Sequence, residues 1–377
     1  MPGNMKIQNR YTLLLLTSAL MAVLSAAAHP PSPKVVIGYC GGYRGLLNTD
    51  TIDVAKLTHI NYAFVNLRNN RAMLEHPKTD TVNLRKLAAL KTRNPHLQIL
   101  ISIGGWSWSE NFSDAALTDT ARRAFAHSAV AIIQRFNLDG VDIDWEYPGR
   151  PGEDGNVYRK EDKQNFTLLF QALRQSLDTL EKATGKHKLL TTATGGFADF
   201  LSTTEMDKAQ QYLDYVNLMT YDFYNGKIAG HHTNLYTSDL YPSAHATENA
   251  VKAYLAAGVP ASKLVVGIAF YGRTYQLTPG AQKGPGDSVV SQQYGKGYTF
   301  IKDSLTNQKG FTYHRDKKAK APYLYNAATR QFMTYDDEWS VKEKCEYVKK
   351  QQLAGVMFWE YDADLKGYLL QTIHKHL

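Results

Sequence analysis

The stretch DGVDIDWEYP, residues 139–148, sets four acidic side chains, Asp139, Asp142, Asp144 and Glu146, into a segment that otherwise reads as a buried β-strand. Val141 and Ile143 alternate with Asp142 and Asp144, the period-2 pattern of a strand with two unlike faces. Asp142, Asp144 and Glu146 therefore share one face. Asp139 has the other parity and is expected to play a structural part at the start of the strand.

Working outward, seven more short apolar or β-branched runs alternate with segments of helical periodicity. The strands predicted are 34–40, 59–67, 98–105, 139–145, 188–194, 214–221, 263–272 and 355–361, with helices near 80–92, 115–136, 162–182, 246–257, 337–352 and 363–376. This is the pattern of repeated β-α units on a parallel sheet, and eight such strands in a chain of 377 residues favour an α/β fold of the (β/α)8 TIM-barrel type. One spacing breaks the rhythm. The first part of the link between strands seven and eight, 274–335, is rich in Gly, Tyr, Thr and charge. It is too long for a structureless loop and reads as a small α+β insertion forming one wall of a cleft.

The N-terminus has a basic start (Lys6, Arg10), an apolar run from Leu13 to about Leu24, and Ser25-Ala26-Ala27-Ala28. Residues 1–28 thus read as a cleavable signal peptide, leaving 29–377 as the (β/α)8 domain of a secreted or periplasmic protein. The apolar run is shorter than the roughly 20 residues a membrane span needs, so no stable membrane insertion is expected. Cys40 and Cys345 are the only cysteines, far apart and without metal-ligand spacing. The net charge of +8, or +6 without Lys6 and Arg10, is dispersed. Its one dense run, RDKKAK (315–320), reads as a solvated loop, and no nucleic-acid partner is expected.

In a barrel, the C-terminal strand ends carry the active site, and Glu146 stands at such an end just before Pro148. Side chains two apart on a strand are about 6–7 Å apart at the backbone. Three carboxylates in a row on an interior face cannot all ionise cheaply, so one is expected to hold a proton, as a general acid must. From the spacing alone, two other readings stay open: a Mg²⁺ or Ca²⁺ site with oxygen ligands, and an ordinary charged strand end.

Asp139, Asp142, Asp144 and Glu146 match the D-x-x-D-x-D-x-E signature of glycoside hydrolase family 18, the chitinases and their relatives. SIGGW (102–106), MTYD (219–222), FYGR (270–273) and the FW of Phe358-Trp359 resemble the family's motifs on its third, sixth, seventh and eighth strands. The insertion before strand eight resembles that of bacterial-type chitinases. The resemblance implies a chitin or chitooligosaccharide substrate, β-1,4-linked N-acetylglucosamine, and no metal or cofactor. We expect a monomer. It also implies a retaining, substrate-assisted mechanism, a known departure from the two-carboxylate scheme. Glu146 is implied as general acid and base, Asp144 as the group aligning the substrate's acetamido N–H, Asp142 as its proton-sharing partner, and Tyr221 as donor to the acetamido oxygen.

For substrate binding the resemblance implies Trp359 as the floor beneath the distorted sugar, Trp106 as a stacking surface, and Met219, Asp222, Tyr271 and Arg273 as lining of the nearest subsites. Tyr39 and Ser102 match polar positions behind the aspartates, and Phe64 lines the inner cleft or belongs to the plain barrel core. Two places depart from the pattern. Cys40-Gly41-Gly42 follow Tyr39 where an aromatic is expected, and Glu360-Tyr361 follow Trp359. Both bear on subsite number. The competing readings are an endo-β-N-acetylglucosaminidase acting on N-glycans and a non-catalytic chitin-binding lectin on the same barrel. Glu146, Asp144 and Tyr221 together speak for catalysis, and the insertion for a deep linear groove.

Overall fold

In the computed structural model, which describes residues 33–223 and 226–377, eight parallel strands close into a barrel. They are β1 (Val35–Gly41), β2 (His59–Arg68), β3 (Gln98–Gly104), β4 (Gly140–Asp144), β5 (Leu189–Gly195), β6 (Tyr215–Met219), β7 (Leu264–Ala269) and β8 (Gly355–Trp359). Pairing of β1 with both β8 and β2 closes the ring. The signal peptide expected over 1–28 lies outside the described residues.

Strand parity sorts the side chains into two layers. On β1, Val35, Ile37 and Tyr39 point inward with Ala63, Val265 and Met357, while Val36 and Cys40 join the larger core between barrel and helices. Val141 and Ile143 of β4 face that outer layer, as their alternation predicts. The helix Asp162–Thr184 covers it with Phe166, Leu169, Phe170, Leu173, Leu177 and Leu180, a stripe at helical spacing. Burying each such side chain contributes about 1.5–3 kcal/mol. The helix stops at Gly185, whose left-handed conformation (φ 68°) lets its N–H close on the Glu181 carbonyl at 2.7 Å.

Several predicted boundaries are corrected. The helix expected over 115–136 is two helices, Phe112–Leu117 and Asp119–Arg135. Thr118 between them is extended and caps the second by accepting the Ala121 N–H at 3.1 Å. The last helix starts at Tyr368, not 363, after a left-handed Gly367. The strand expected over 214–221 ends at Met219, so Tyr221 and Asp222 lie beyond it. The segment 263–272 also divides. β7 ends at Ala269, and Tyr271–Leu277 leaves the barrel for an antiparallel five-stranded sheet with Val289–Gly297, Thr312–Asp316, Ala321–Asn326 and Gln331–Thr334. The helix Tyr298–Ser304 completes the α+β insertion. The basic run 315–320 forms a hairpin end where Lys318 pairs with Asp239 and Lys320 with Glu343. Cys40 and Cys345 are buried free thiols.

The two roots of the insertion are tied by one buried ion pair. Asp336, just past the exit, accepts from Lys344 Nζ at 2.6 Å, from Thr233 Oγ1 at 2.9 Å and from the Ala269 N–H at the entrance at 3.2 Å, while Ser340 Oγ donates to its other oxygen at 2.7 Å. Both charges are essentially solvent-free. Removing one partner strands the other, so Lys344→Met is expected to cost about 3–5 kcal/mol. Denaturant unfolding measures it, and a loss below about 1 kcal/mol, the size of an exposed pair, would contradict this assignment.

Candidate active site

The carboxylate row of β4 enters the barrel interior level by level. At the lowest level, Ser102 of β3 and Thr191 of β5 stand in register with Asp142 on either side. Asp142 Oδ2 accepts from Ser102 Oγ (2.8 Å) and Tyr39 Oη (2.9 Å), and Oδ1 from Thr191 Oγ1 (2.5 Å) and Asn217 Nδ2 (3.2 Å). Burial raises the pKa of Asp142, and these donors work against the rise.

One level up, the register neighbours of Asp144 are Gly104 and Ala193, which bring no donor. Asp144 Oδ1 is buried and has no hydrogen-bond partner among the described residues. Gly104 is required there: it has φ +106°, and a Cβ would stand 2.3 Å from the Asp144 carbonyl oxygen. Burial first, then the charges of Glu146 and Asp142, lift the Asp144 pKa well above the carboxylate range.

Glu146 stands just past the strand end and is 9% exposed. Its backbone is pinned by Ser109, whose Oγ accepts the Glu146 N–H at 2.9 Å and donates to the Gly105 carbonyl at 2.8 Å. Burial raises its pKa to about 7; a hydrogen bond with Tyr147 opposes the shift, and the charges of Asp222 and Glu153 add to it. Asp144 and Glu146 therefore titrate as a pair, and the row retains a proton near neutrality. Asp139 accepts the Ile99 N–H at 2.8 Å and pairs with Lys91, the structural part expected of it.

Trp359 at the end of β8 lies across the mouth from β4, stacked on Phe64 (5.4 Å between centroids, 21°) and tilted against Tyr39 (5.8 Å). Tyr221 and Met219 pack in the same interior cluster, with Tyr221 Oη 3.7 Å from Met357 Sδ. Asp222 is held by Arg273 through two contacts of 2.7 Å; burial works to raise its pKa, but His232 and then Arg273 hold the carboxyl well below the usual range. Tyr271 stacks on Tyr294 at 4.5 Å, and Trp106 is 48% exposed with its edge to Tyr147. A cavity of about 500 Å³ is bounded by Arg150, Phe197, Asp222, Phe223 and His245.

Tyr39 and Ser102, matched to polar positions behind the aspartates, are 2% and 0% exposed and donate to Asp142 Oδ2, which sets them below the cleft surface. The oxygen-ligated metal reading fits poorly, because four protein donors fill both oxygens of Asp142. Sequence reasoning missed Thr191, Asn217 and Ser109. The first two were legible as inward-parity polar residues in predicted strands; Ser109 carried no such signal.

A closed barrel with a buried, protonatable acid at the C-terminal end of β4 is a site that can protonate a leaving group. The sequence model for "Glycosyl hydrolases family 18" matches residues 35–364, and the chain belongs to that family. It is 36% identical over 421 residues to Chitinase A1 of Niallia circulans, an alignment that takes in 93% of this chain and 60% of that protein. The chain thus spans less than two thirds of that relative. To Chitinase B of Serratia marcescens it is 33% identical over 389 residues, 85% of this chain and 76% of the other. It superposes with a TM-score of 0.85 and 41% identity on a family 18 N-acetylglucosaminidase from Paenibacillus barengoltzii, covering 92% of this chain and 100% of that one.

The raised pKa of Glu146 makes a prediction about stability. Below its ordinary value of 4.5 the folded and unfolded chains both hold the proton, and there is no penalty. Between 4.5 and about 7 the unfolded chain releases it first, so stability falls as pH rises. Glu146→Gln removes this dependence. It should be more stable than the parent by up to about 3 kcal/mol at pH 8, with the gap closing at pH 4. Unfolding curves at both pH values test this, and an equal difference at both would contradict it.

Proposed function

We propose that the protein hydrolyses β-1,4-linked N-acetylglucosamine chains with retention, using Glu146 as acid and base and the substrate's own acetamido group as nucleophile. The observation that carries the reading is the row on β4: an outer acid with a pKa of about 7 beside an aspartate whose Oδ1 has no partner among the described residues. Glu146 protonates the glycosidic oxygen as the C1–O bond breaks, and the acetamido carbonyl oxygen closes on C1 to give an oxazolinium ion. Water then opens that ring, giving its proton to Glu146.

Asp144 Oδ1 is free to accept the acetamido N–H, aligning the nucleophile. Asp142, held by its four donors, keeps the adjacent proton in place. A second enzymic carboxylate nucleophile is disfavoured: Asp142 and Asp222 are each bound to fixed partners, and burial with the charges of Glu146 and Asp142 pushes the Asp144 pKa well up. Tyr221 would donate to the acetamido oxygen, and Trp359 would support the sugar ring. The names of the relatives, chitinases and an N-acetylglucosaminidase, agree with a site built for an N-acetylglucosaminyl group. The basic-apolar-small pattern at the N-terminus supports export to the periplasm or medium. Among the described residues no helix is long and apolar enough to cross a membrane.

Incubation with chitooligosaccharides tests the reading. Glu146→Gln is expected to lose about 10²–10⁴-fold in turnover, and release by the parent no faster than by this variant would leave the lectin reading. Turnover of an N-glycoprotein but not of chitooligomers would favour the endo-β-N-acetylglucosaminidase. Fully deacetylated chitosan, lacking the internal nucleophile, should resist cleavage, and EDTA should leave the rate unchanged. Because the acid must be protonated, kcat/KM should fall as pH rises through about 7. A rate flat to pH 9 would remove Glu146 from the acid role.

A further inference from the structure

The two ends of the cleft are built differently. β4, with Glu146 at its end, and β8, with Trp359, stand on opposite sides of the ring. On the Glu146 side stand the exposed Trp106 and, between Phe197, Asp222 and His245, a cavity of about 500 Å³. On the Trp359 side the chain after β1 turns across the end. It sets the Tyr43 ring parallel to the Trp359 indole, 6.4 Å away and tilted by 10°.

That turn is anchored on Glu360, the residue after Trp359. Tyr43 Oη donates to Glu360 Oε2 at 2.7 Å, and the Arg44 guanidinium binds Oε1, so a carboxylate with 1% side-chain exposure has both oxygens engaged. From the insertion comes Tyr294, whose phenol oxygen faces the donor N–H of the Trp359 indole, with the Arg273 guanidinium 5.1 Å above the tyrosine ring. Glycine is needed for this path. A Cβ on Gly41 would stand 2.6 Å from Glu360 Oε2, and one on Gly42 2.1 Å from Tyr62 Oη. The Gly41-Gly42 pair where an aromatic was expected is thus what lets Tyr43 and Arg44 reach Glu360.

The direction of the chain follows from the chemistry. The sugar on Trp359 presents its anomeric carbon to Glu146, so its 4-hydroxyl, which carries the rest of the chain toward the non-reducing end, points the other way. A further sugar there would have to displace Tyr43 and break the contacts that hold the buried Glu360 carboxylate. We propose that Tyr43, Arg44 and Glu360, with Tyr294, close the cleft after one sugar, making the enzyme exo-acting. It removes single N-acetylglucosamine units from the non-reducing end: water adds OH to C1 of the terminal sugar and a proton to O4 of the next. This rests on the hydrolase reading above.

Chitohexaose tagged at its reducing end tests the proposal on the unaltered protein. The expected first products are untagged N-acetylglucosamine and tagged pentamer. Untagged disaccharide with tagged tetramer, or a spread of internal cuts, overturns the closed end while leaving the hydrolase reading intact; no cleavage at all overturns both. Tyr43→Ala combined with Arg44→Ala opens the wall, and the share of disaccharide among first products should rise about tenfold or more. Tyr43→Ala alone, which leaves Arg44 on Glu360, should raise it less. An unchanged product ratio in a folded double variant overturns the assignment of these residues to the wall.

Discussion

Burying Asp142, Asp144 and Glu146 in a row on one strand imposes a condition on everything around it. Three adjacent charges in a low-dielectric interior are too costly, so protons must stay and each oxygen needs a defined environment. The barrel meets this by grading the surroundings along β4. Asp142 has four donors, Asp144 sits between two residues that offer none, and Glu146 reaches the mouth with a pKa of about 7. The outermost group is the one able to exchange a proton with a substrate near neutrality, and the deeper pair fixes where the remaining proton lies.

The rest of the fold serves that row through register. Parallel pairing of β3, β4 and β5 brings Ser102, Asp142 and Thr191 to one level without any loop having to deliver them. The insertion acts from the other side of the mouth. Its first strand carries Tyr271 and Arg273 to Asp222, its second carries Tyr294 to Trp359, and the Asp336–Lys344 pair holds its two roots together. The cleft wall is therefore tied to the barrel where β7 ends and the helix after the insertion begins.

The barrel and the acid row were legible because strand periodicity is local: Val141 and Ile143 against Asp142 and Asp144 declare the two faces without any knowledge of neighbours. Motif residues at strand ends were legible only through their resemblance to the family's motifs. What stayed hidden depends on three-dimensional meetings. Glu360 is one residue past a recognised tryptophan, but its partners Tyr43 and Arg44 come from more than 300 positions earlier. Tyr39 and Ser102 were placed behind the aspartates by resemblance, whereas their meeting on one oxygen, Asp142 Oδ2, depends on three strands coming together. The break at Thr118 was readable as a capping threonine before Asp119, but continuous helical periodicity across 115–136 masked it.

The central claim is that Glu146 acts as acid and then base in two successive displacements at C1, with no direct attack by water on the glycoside. Proton NMR of a chitooligosaccharide digest, recorded before mutarotation equilibrates the new reducing ends, tests this most directly. Two successive displacements at C1 predict that the β-anomer appears first. Initial accumulation of the α-anomer would mean a single displacement by water and would contradict the account.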